Sequence, residues 1–188
     1  MIFTYSVLTR QAVSDIMEQS TNILLLVIHN EIHGGKLMKT EDGKYYLSQV
    51  KDLIIEYTSS LGRDLSFQNL DAELGNIAEK YTAPNGELLV ATENGEVFGM
   101  VAYHKHSDDR CEMKRLYVRP SARGMHLGEK LVAEIIKHAK EAGFKEMVLD
   151  TIEPLKAAIS LYQKNGFERC EPYYNNPMDD VVYMRKLR

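Results

Sequence analysis

Residues 118–140, "VRPSARGMHLGEKLVAEIIKHAK", decide how the rest of the chain is read. The apolar run "RLYV" at 115–118 stops at Pro120, and a segment of strong helical periodicity follows. Leu127, Leu131, Val132, Ile135, Ile136 and Ala139 share one face at the 3.6-residue period, which predicts a helix over 124–141. Gly124 and Gly128 stand where that helix starts, although glycine costs roughly 1 kcal/mol against alanine inside a helix. Their placement implies that something comes close to the main chain. The first N–H groups of a helix lack intrahelical partners, and the dipole is positive there, so the junction suits an anion such as a pyrophosphate. A capped helix start with no ligand is the plainer alternative. The stretch is not a Walker loop, which needs Gly-Lys-Ser/Thr, and no G-x-G-x-x-G occurs.

Downstream, the helix ends at Gly143, and Phe144 leads into a strand, "EMVLDT". A second helix over 154–165 begins at Pro154, a residue suited to a first helical turn, with Leu155, Ala158, Ile159 and Tyr162 in register. It ends at Gly166, and Phe167 opens the strand "FERCEP". The strand "VVYMRKL" comes last. Upstream, 111–119 reads as a strand, preceded by strands at 87–93 and 96–105. Asn94-Gly95 between the latter two marks a type I′ hairpin, because both central residues need positive φ. Helices are expected over 49–60, with Val50, Leu53, Ile54 and Tyr57 on one face, and over 69–80. This order implies an α/β fold with a mixed sheet flanked by helices. Residues 1–43 read as an N-terminal extension of uncertain packing, and 44–188 as the domain proper. Within the extension "TRQAVSDIMEQSTNILLLVIHNEI" fits a helix, its apolar run fits a buried strand equally well, and "HGGK" reads as a turn.

The bulk numbers bound the function. A chain of 188 residues with 44% apolar and 27% charged residues supports one soluble domain of ordinary size. A net charge of −4 argues against a nucleic-acid partner. Cys111 and Cys170 are the only cysteines and form no metal or redox pattern, which suggests a reducing, cytoplasmic setting. The longest apolar run, Ile23–Ile28, is too short to cross a bilayer, which takes about 20 residues. No basic segment precedes that run, so neither a membrane anchor nor a signal peptide is expected. His104 and His106 lie on one side of a strand, but no third ligand at sensible spacing follows, so no metal is expected.

Residues 111–170 resemble the acyl-CoA core of the GNAT superfamily of N-acetyltransferases. The family signature there is Arg/Gln-x-x-Gly-x-Gly/Ala. Arg123 and Gly128 match its ends, while His126 replaces the middle glycine. "SLGRDLSFQ", "CEMKRLYVRP", "LYQKNGF" and "PYYNNP" extend the likeness over about 44–188. The resemblance implies the GNAT fold, with a mixed, mostly antiparallel central sheet, and acetyl-CoA as co-substrate. It implies that main-chain N–H groups of Arg123, Gly124, Met125, His126, Leu127 and Gly128 hold the coenzyme A pyrophosphate. It also implies that the strand Leu116, Tyr117, Val118 pairs with the pantetheine arm, a Val118-side N–H serving the oxyanion.

Acyl transfer to an amine needs a base, since an ammonium with a pKa of about 10.4 is no nucleophile. It also needs an acid for the leaving thiolate. By the family likeness Glu112 is the base and Tyr162 the acid. The plainer readings are a Glu112 paired with Lys114 or Arg115, and a core Tyr162. Leu155 stands where the family often has asparagine, so no contact of that asparagine is carried over to this chain. Tyr57, Arg63 and Phe67 are expected in the acceptor wall, again by resemblance alone. Asp179 and Asp180, with Asn175 and Asn176, suit a solvated turn better than an amine trap. No cysteine has a nucleophile's surroundings, so direct attack in a ternary complex is expected. The acceptor is expected to be a primary amine, whether a small molecule or a peptide N-terminus. A homodimer is one arrangement that the resemblance brings with it. The alternative from another class is a non-catalytic acyl-CoA-binding module.

Overall fold

Along the chain the elements run β1 (Lys39–Asp42), α1 (Leu47–Ser60), α2 (Leu70–Gly75), α3 (Ile77–Tyr81), β2 (Gly86–Glu93), β3 (Glu96–Lys105) and β4 (Arg110–Val118). They continue with α4 (Leu127–Glu141), β5 (Glu146–Ile152), α5 (Lys156–Lys164), β6 (Glu168–Arg169) and β7 (Val181–Leu187). This is a computed structural model that describes residues 38–63 and 69–188. The expectations for residues 1–37 and for Phe67 lie outside the described residues. Met38–Arg188 form one unit. No described helix is long and apolar enough to cross a membrane.

Among the described residues the strands make one seven-stranded sheet in the order β1-β2-β3-β4-β5-β7-β6. Only the β4–β5 pairing is parallel; the other neighbours are antiparallel. The β2–β3 hairpin turns on Asn94 and Gly95, whose φ values of 51° and 80° are the positive pair expected of its turn. Two apolar layers flank the sheet. One is centred on α4 and includes Leu131, Ile135, Cys111, Met113 and Phe167. The other lies under α1 and α3 and includes Leu53, Ile54, Tyr81, Met100 and Tyr117. All six α4 residues predicted to share a face are buried in the first layer. Each larger side chain among them contributes about 1.5–3 kcal/mol by leaving water.

Several boundaries differ from the sequence expectation for local reasons. β1, for which no strand is expected from the sequence, pairs Lys39 to Asp42 with Thr92 to Leu89 of β2. The helix expected over 69–80 divides at Asn76, whose φ of −130° leaves the helical region. The helix expected from 124 begins at Leu127, because Gly124 and His126 take φ of 81° and 56°. A right-handed helix cannot hold two such residues. α5 starts at Lys156, with Pro154 left in the preceding turn, where its carbonyl accepts from the Lys156 N–H. The strand expected over 167–172 shortens to Glu168–Arg169; Pro172 has no N–H to offer a sheet ladder.

Candidate active site

β4 and β5 run side by side only from Arg110 to Glu112, opposite Glu146 to Val148. Beyond Glu112 they part. A bulge in β4 accompanies the parting: Met100 faces Tyr117, and two residues on Ala102 faces Lys114. Arg115 and Leu116 therefore stand against the single residue Val101, and Arg115 takes a left-handed φ of 59°. The extra residue switches the facing of the strand. Before it, Cys111 and Met113 join the α4 layer; after it, Leu116 and Val118 pack on that layer while Tyr117 joins the α1 layer.

The parting opens a cleft of about 790 Å³. It is walled by β4 from Met113 to Val118, by Asp150 and Thr151 of β5, and by α5 residues that include Tyr162, together with Tyr57, Arg123 and Gly128. An adjoining hollow of about 460 Å³ shares Val118, Arg123 and Gly128 and adds Gly124, His126 and Leu127. Most of the expected coenzyme residues are thus gathered in one place. Met125 lines neither space; its half-buried side chain packs against the α4 layer.

Among the described residues, the N–H groups of Gly124, Met125, His126, Leu127, Gly128 and Glu129 have no acceptor. The first helical bond runs from Lys130 to the His126 carbonyl at 3.1 Å. Arg123 departs from expectation: its N–H donates to the Pro120 carbonyl at 3.3 Å and is not free. Its guanidinium Nε donates to the Val118 carbonyl at 3.2 Å, on the edge of β4. His126 holds its left-handed conformation with an exposed ring, hydrogen-bonded to Glu129 at 3.0 Å. A Cβ at Gly128 would meet Leu161 of α5 at 3.4 Å, an ordinary van der Waals contact.

Tyr162 is buried, edge-on to Phe167 at 6.0 Å. Its hydroxyl has no hydrogen-bond partner among the described residues. Burial, and then the charges of Tyr57 and Asp150, push its pKa up, so it keeps its proton. Tyr57 leans on Tyr117 with ring centroids 5.5 Å apart.

Glu112 stands apart from the large cleft. It lines a neighbouring hollow of about 330 Å³ that shares Lys114 and Arg115 with the cleft. Its carboxylate is buried and accepts from the Tyr173 hydroxyl at 2.8 Å and from Lys114 Nζ at 2.8 Å. The His104 Nε2 lies 2.8 Å away. Burial alone would raise the Glu112 pKa; His104, Lys114 and Tyr173 outweigh it and hold it down at about 2. An anion so well satisfied is a weak proton acceptor, which narrows the base role expected of it. Lys114 bridges on to Asp150 of β5 at 2.6 Å, and Asp150 also accepts from the Tyr174 hydroxyl at 3.0 Å. Burial opposes the charge on Lys114, but the two carboxylates keep it a cation.

Arg63 lines neither space: its guanidinium is spent on a two-pronged pair with Asp180, both contacts at 2.7 Å. It braces the loop after α1 against the connection into β7. Among the described residues no three His, Cys, Asp or Glu side chains converge as metal ligands. His104 is engaged with Glu112, and the His106 ring packs edge-on against Tyr173 at 5.8 Å.

Residues 48–167 match the model of the Acetyltransferase (GNAT) family. The chain belongs to the GNAT acetyltransferases. An uncharacterised N-acetyltransferase of Schizosaccharomyces pombe is 50% identical over 141 residues, covering 74% of this chain and 86% of that protein. A crystal structure of an acetyltransferase from Streptococcus agalactiae superposes with a TM-score of 0.66 at 26% identity, over 80% of this chain and 98% of that one. The PaiA N-acetyltransferase of Thermoplasma acidophilum, solved in complex with coenzyme A, shares the fold with a TM-score of 0.63 at 17% identity, over 80% and 99% of the two chains. The Glu112–Lys114 pair is the plainer pairing expected from the sequence, whereas Asp150 and the roles of Tyr173 and Tyr174 around it are not anticipated there. Two signals were available: a charge inside the apolar strand "MVLDTI", and a tyrosine pair between strands.

Proposed function

We propose that this GNAT enzyme transfers an acetyl group from acetyl-CoA to a primary amine by direct attack in a ternary complex. The proposed domain runs from Met38, since β1 completes the sheet. The observation that carries the proposal is the coincidence of a parted strand edge, Leu116–Val118, with six unpartnered N–H groups from Gly124 to Glu129. The cleft along the strand edge and the hollow beside Gly124, His126, Leu127, Gly128 and Glu129 adjoin, sharing Val118, Arg123 and Gly128. These residues fit coenzyme A: the amides of 124–129 would hold the pyrophosphate, and the β4 edge would hold the pantetheine arm.

Bound there, acetyl-CoA supplies an activated acetyl thioester. The chain's own residues do the remainder. Main-chain N–H groups near Val118 stand ready for a developing oxyanion. Tyr162 keeps its proton beside the cleft, and its hydroxyl can donate a hydrogen bond to the charge that develops on a leaving thiolate. Glu112 and Asp150, bridged by Lys114, place two carboxylates on one cation on the proposed acceptor side, where they favour an approaching ammonium. A cysteine acyl-enzyme is disfavoured, since burial pushes the Cys111 thiol up to about 12 and the residue is fully enclosed.

The test is turnover of acetyl-CoA against a panel of primary amines, followed by free-thiol release and by mass of the acetylated product. Amine-dependent thiol release is expected. Coenzyme binding without release on any amine would favour a binding module instead.

A further inference from the structure

α2 is an unusual helix in this fold. Its one fully buried residue is Glu73, a carboxylate, with Leu70 and Leu74 only half-buried against the α1 layer. The helix is therefore fastened mainly by charge. Arg115 donates to Glu73 through Nε at 2.6 Å and through Nη2 at 2.8 Å. The same carboxylate accepts from Tyr81 at 3.0 Å and from Lys80 at 3.1 Å, which gathers α3 as well.

The other end of this tether is the bulge. Arg115 is its left-handed residue, where glycine would be the unstrained choice and a side chain is strained. Its guanidinium is buried and arrives at Glu73 in the two-pronged geometry that only arginine provides. The bulge also sets the course of Leu116–Val118, the strand edge assigned above to the coenzyme.

We propose that Glu73 and Arg115 are a positioning pair that couples the coenzyme edge of β4 to the α2–α3 segment, so that coenzyme binding firms residues 70–81. This rests on the coenzyme reading of the cleft. A ligand paired along Leu116–Val118 favours the bulged course of β4, and the bulged course presents Arg115 to Glu73. By reciprocity, anything that seats α2–α3 also favours the coenzyme-ready strand. α2 and α3 adjoin the hollow holding Glu112, so the pair would link the two substrates' sides of the enzyme.

Hydrogen exchange read by mass spectrometry tests this. Saturating coenzyme A should slow exchange at 124–129 by direct contact, and at 70–81 by at least about fivefold through the coupling. The double variant Arg115→Gly/Glu73→Gln keeps a left-handed bulge and leaves no buried carboxylate without its cation. It should keep the protection at 124–129 and lose that at 70–81. Arg115→Lys, which retains the charge without the fork, should show a partial loss and serves if the double variant does not fold. Protection at 124–129 without any at 70–81 in the natural protein overturns the coupling alone. So does a variant that keeps the protection at 70–81. No protection at 124–129 overturns the coenzyme reading, and the coupling with it.

Discussion

The two sides of the parted strands are made of opposite materials. The proposed coenzyme side offers main-chain donors, Gly124 to Glu129, that the fold leaves unpartnered among the described residues. The proposed acceptor side is a side-chain network in which Glu112, Lys114, Asp150, Tyr173 and Tyr174 satisfy one another. Backbone donors recognise a phosphate whatever side chains surround them. A closed network of charges instead fixes geometry at high cost to whoever breaks it. The first side is generic and waiting; the second is particular and already assembled.

The largest effect should come from breaking the assembled side. Glu112→Gln leaves Lys114 with one carboxylate fewer in a buried site, and a loss of about 3–5 kcal/mol in urea-unfolding stability is expected. Turnover should fall by about a hundredfold or more, with coenzyme A affinity in calorimetry nearly unchanged.

Acid attacks the same network without mutation. Glu73 and Glu112 are both held from the ordinary 4.5 down to about 2. Their pairing therefore stabilises the fold fully above pH 4.5 and is lost as pH falls towards 2, by up to about 3 kcal/mol apiece. Urea midpoints measured from pH 7 to pH 2 should decline through that window and stay flat, as far as these two groups are concerned, above it.

The waiting side should break selectively. Gly128→Val places a branched side chain in the hollow beside the free amides. Coenzyme A affinity should drop about a hundredfold, or about 2.7 kcal/mol, while thermal stability moves little. Tyr162→Phe should cost about tenfold in kcat, with unchanged melting temperature, because its hydroxyl has no partner to lose among the described residues. The smallest effect belongs to His126→Gly. It removes a side chain from a left-handed position and should shift stability by no more than about 1 kcal/mol, leaving coenzyme A affinity intact.

The contrast also governs what could be read from the chain itself. The coenzyme side is local in sequence: a strand, a proline, two glycines and an amphipathic helix within thirty residues, so its pattern declares itself. What the pattern could not convey was conformation, namely that Gly124 and His126 are left-handed and delay the helix to Leu127, and that the Arg123 amide is used by Pro120. The acceptor side is assembled from residues far apart. Glu112 meets Tyr173 across 61 positions, and Arg63 meets Asp180 across 117. No periodicity links such residues, so Arg63 was expected in a wall and is found in a brace. The short strand β1 carries no apolar alternation strong enough to distinguish it from a loop; its pairing with β2 defines it.

The central claim is that the free amides around Gly124–Glu129 grip the diphosphate of coenzyme A. Isothermal titration of coenzyme A against pantetheine, which shares its arm but lacks the diphosphate and the 3′-phosphoadenosine beyond it, tests it most directly. Coenzyme A should bind at least about a hundredfold more tightly than pantetheine. Equal affinities, or binding of neither, would contradict the account.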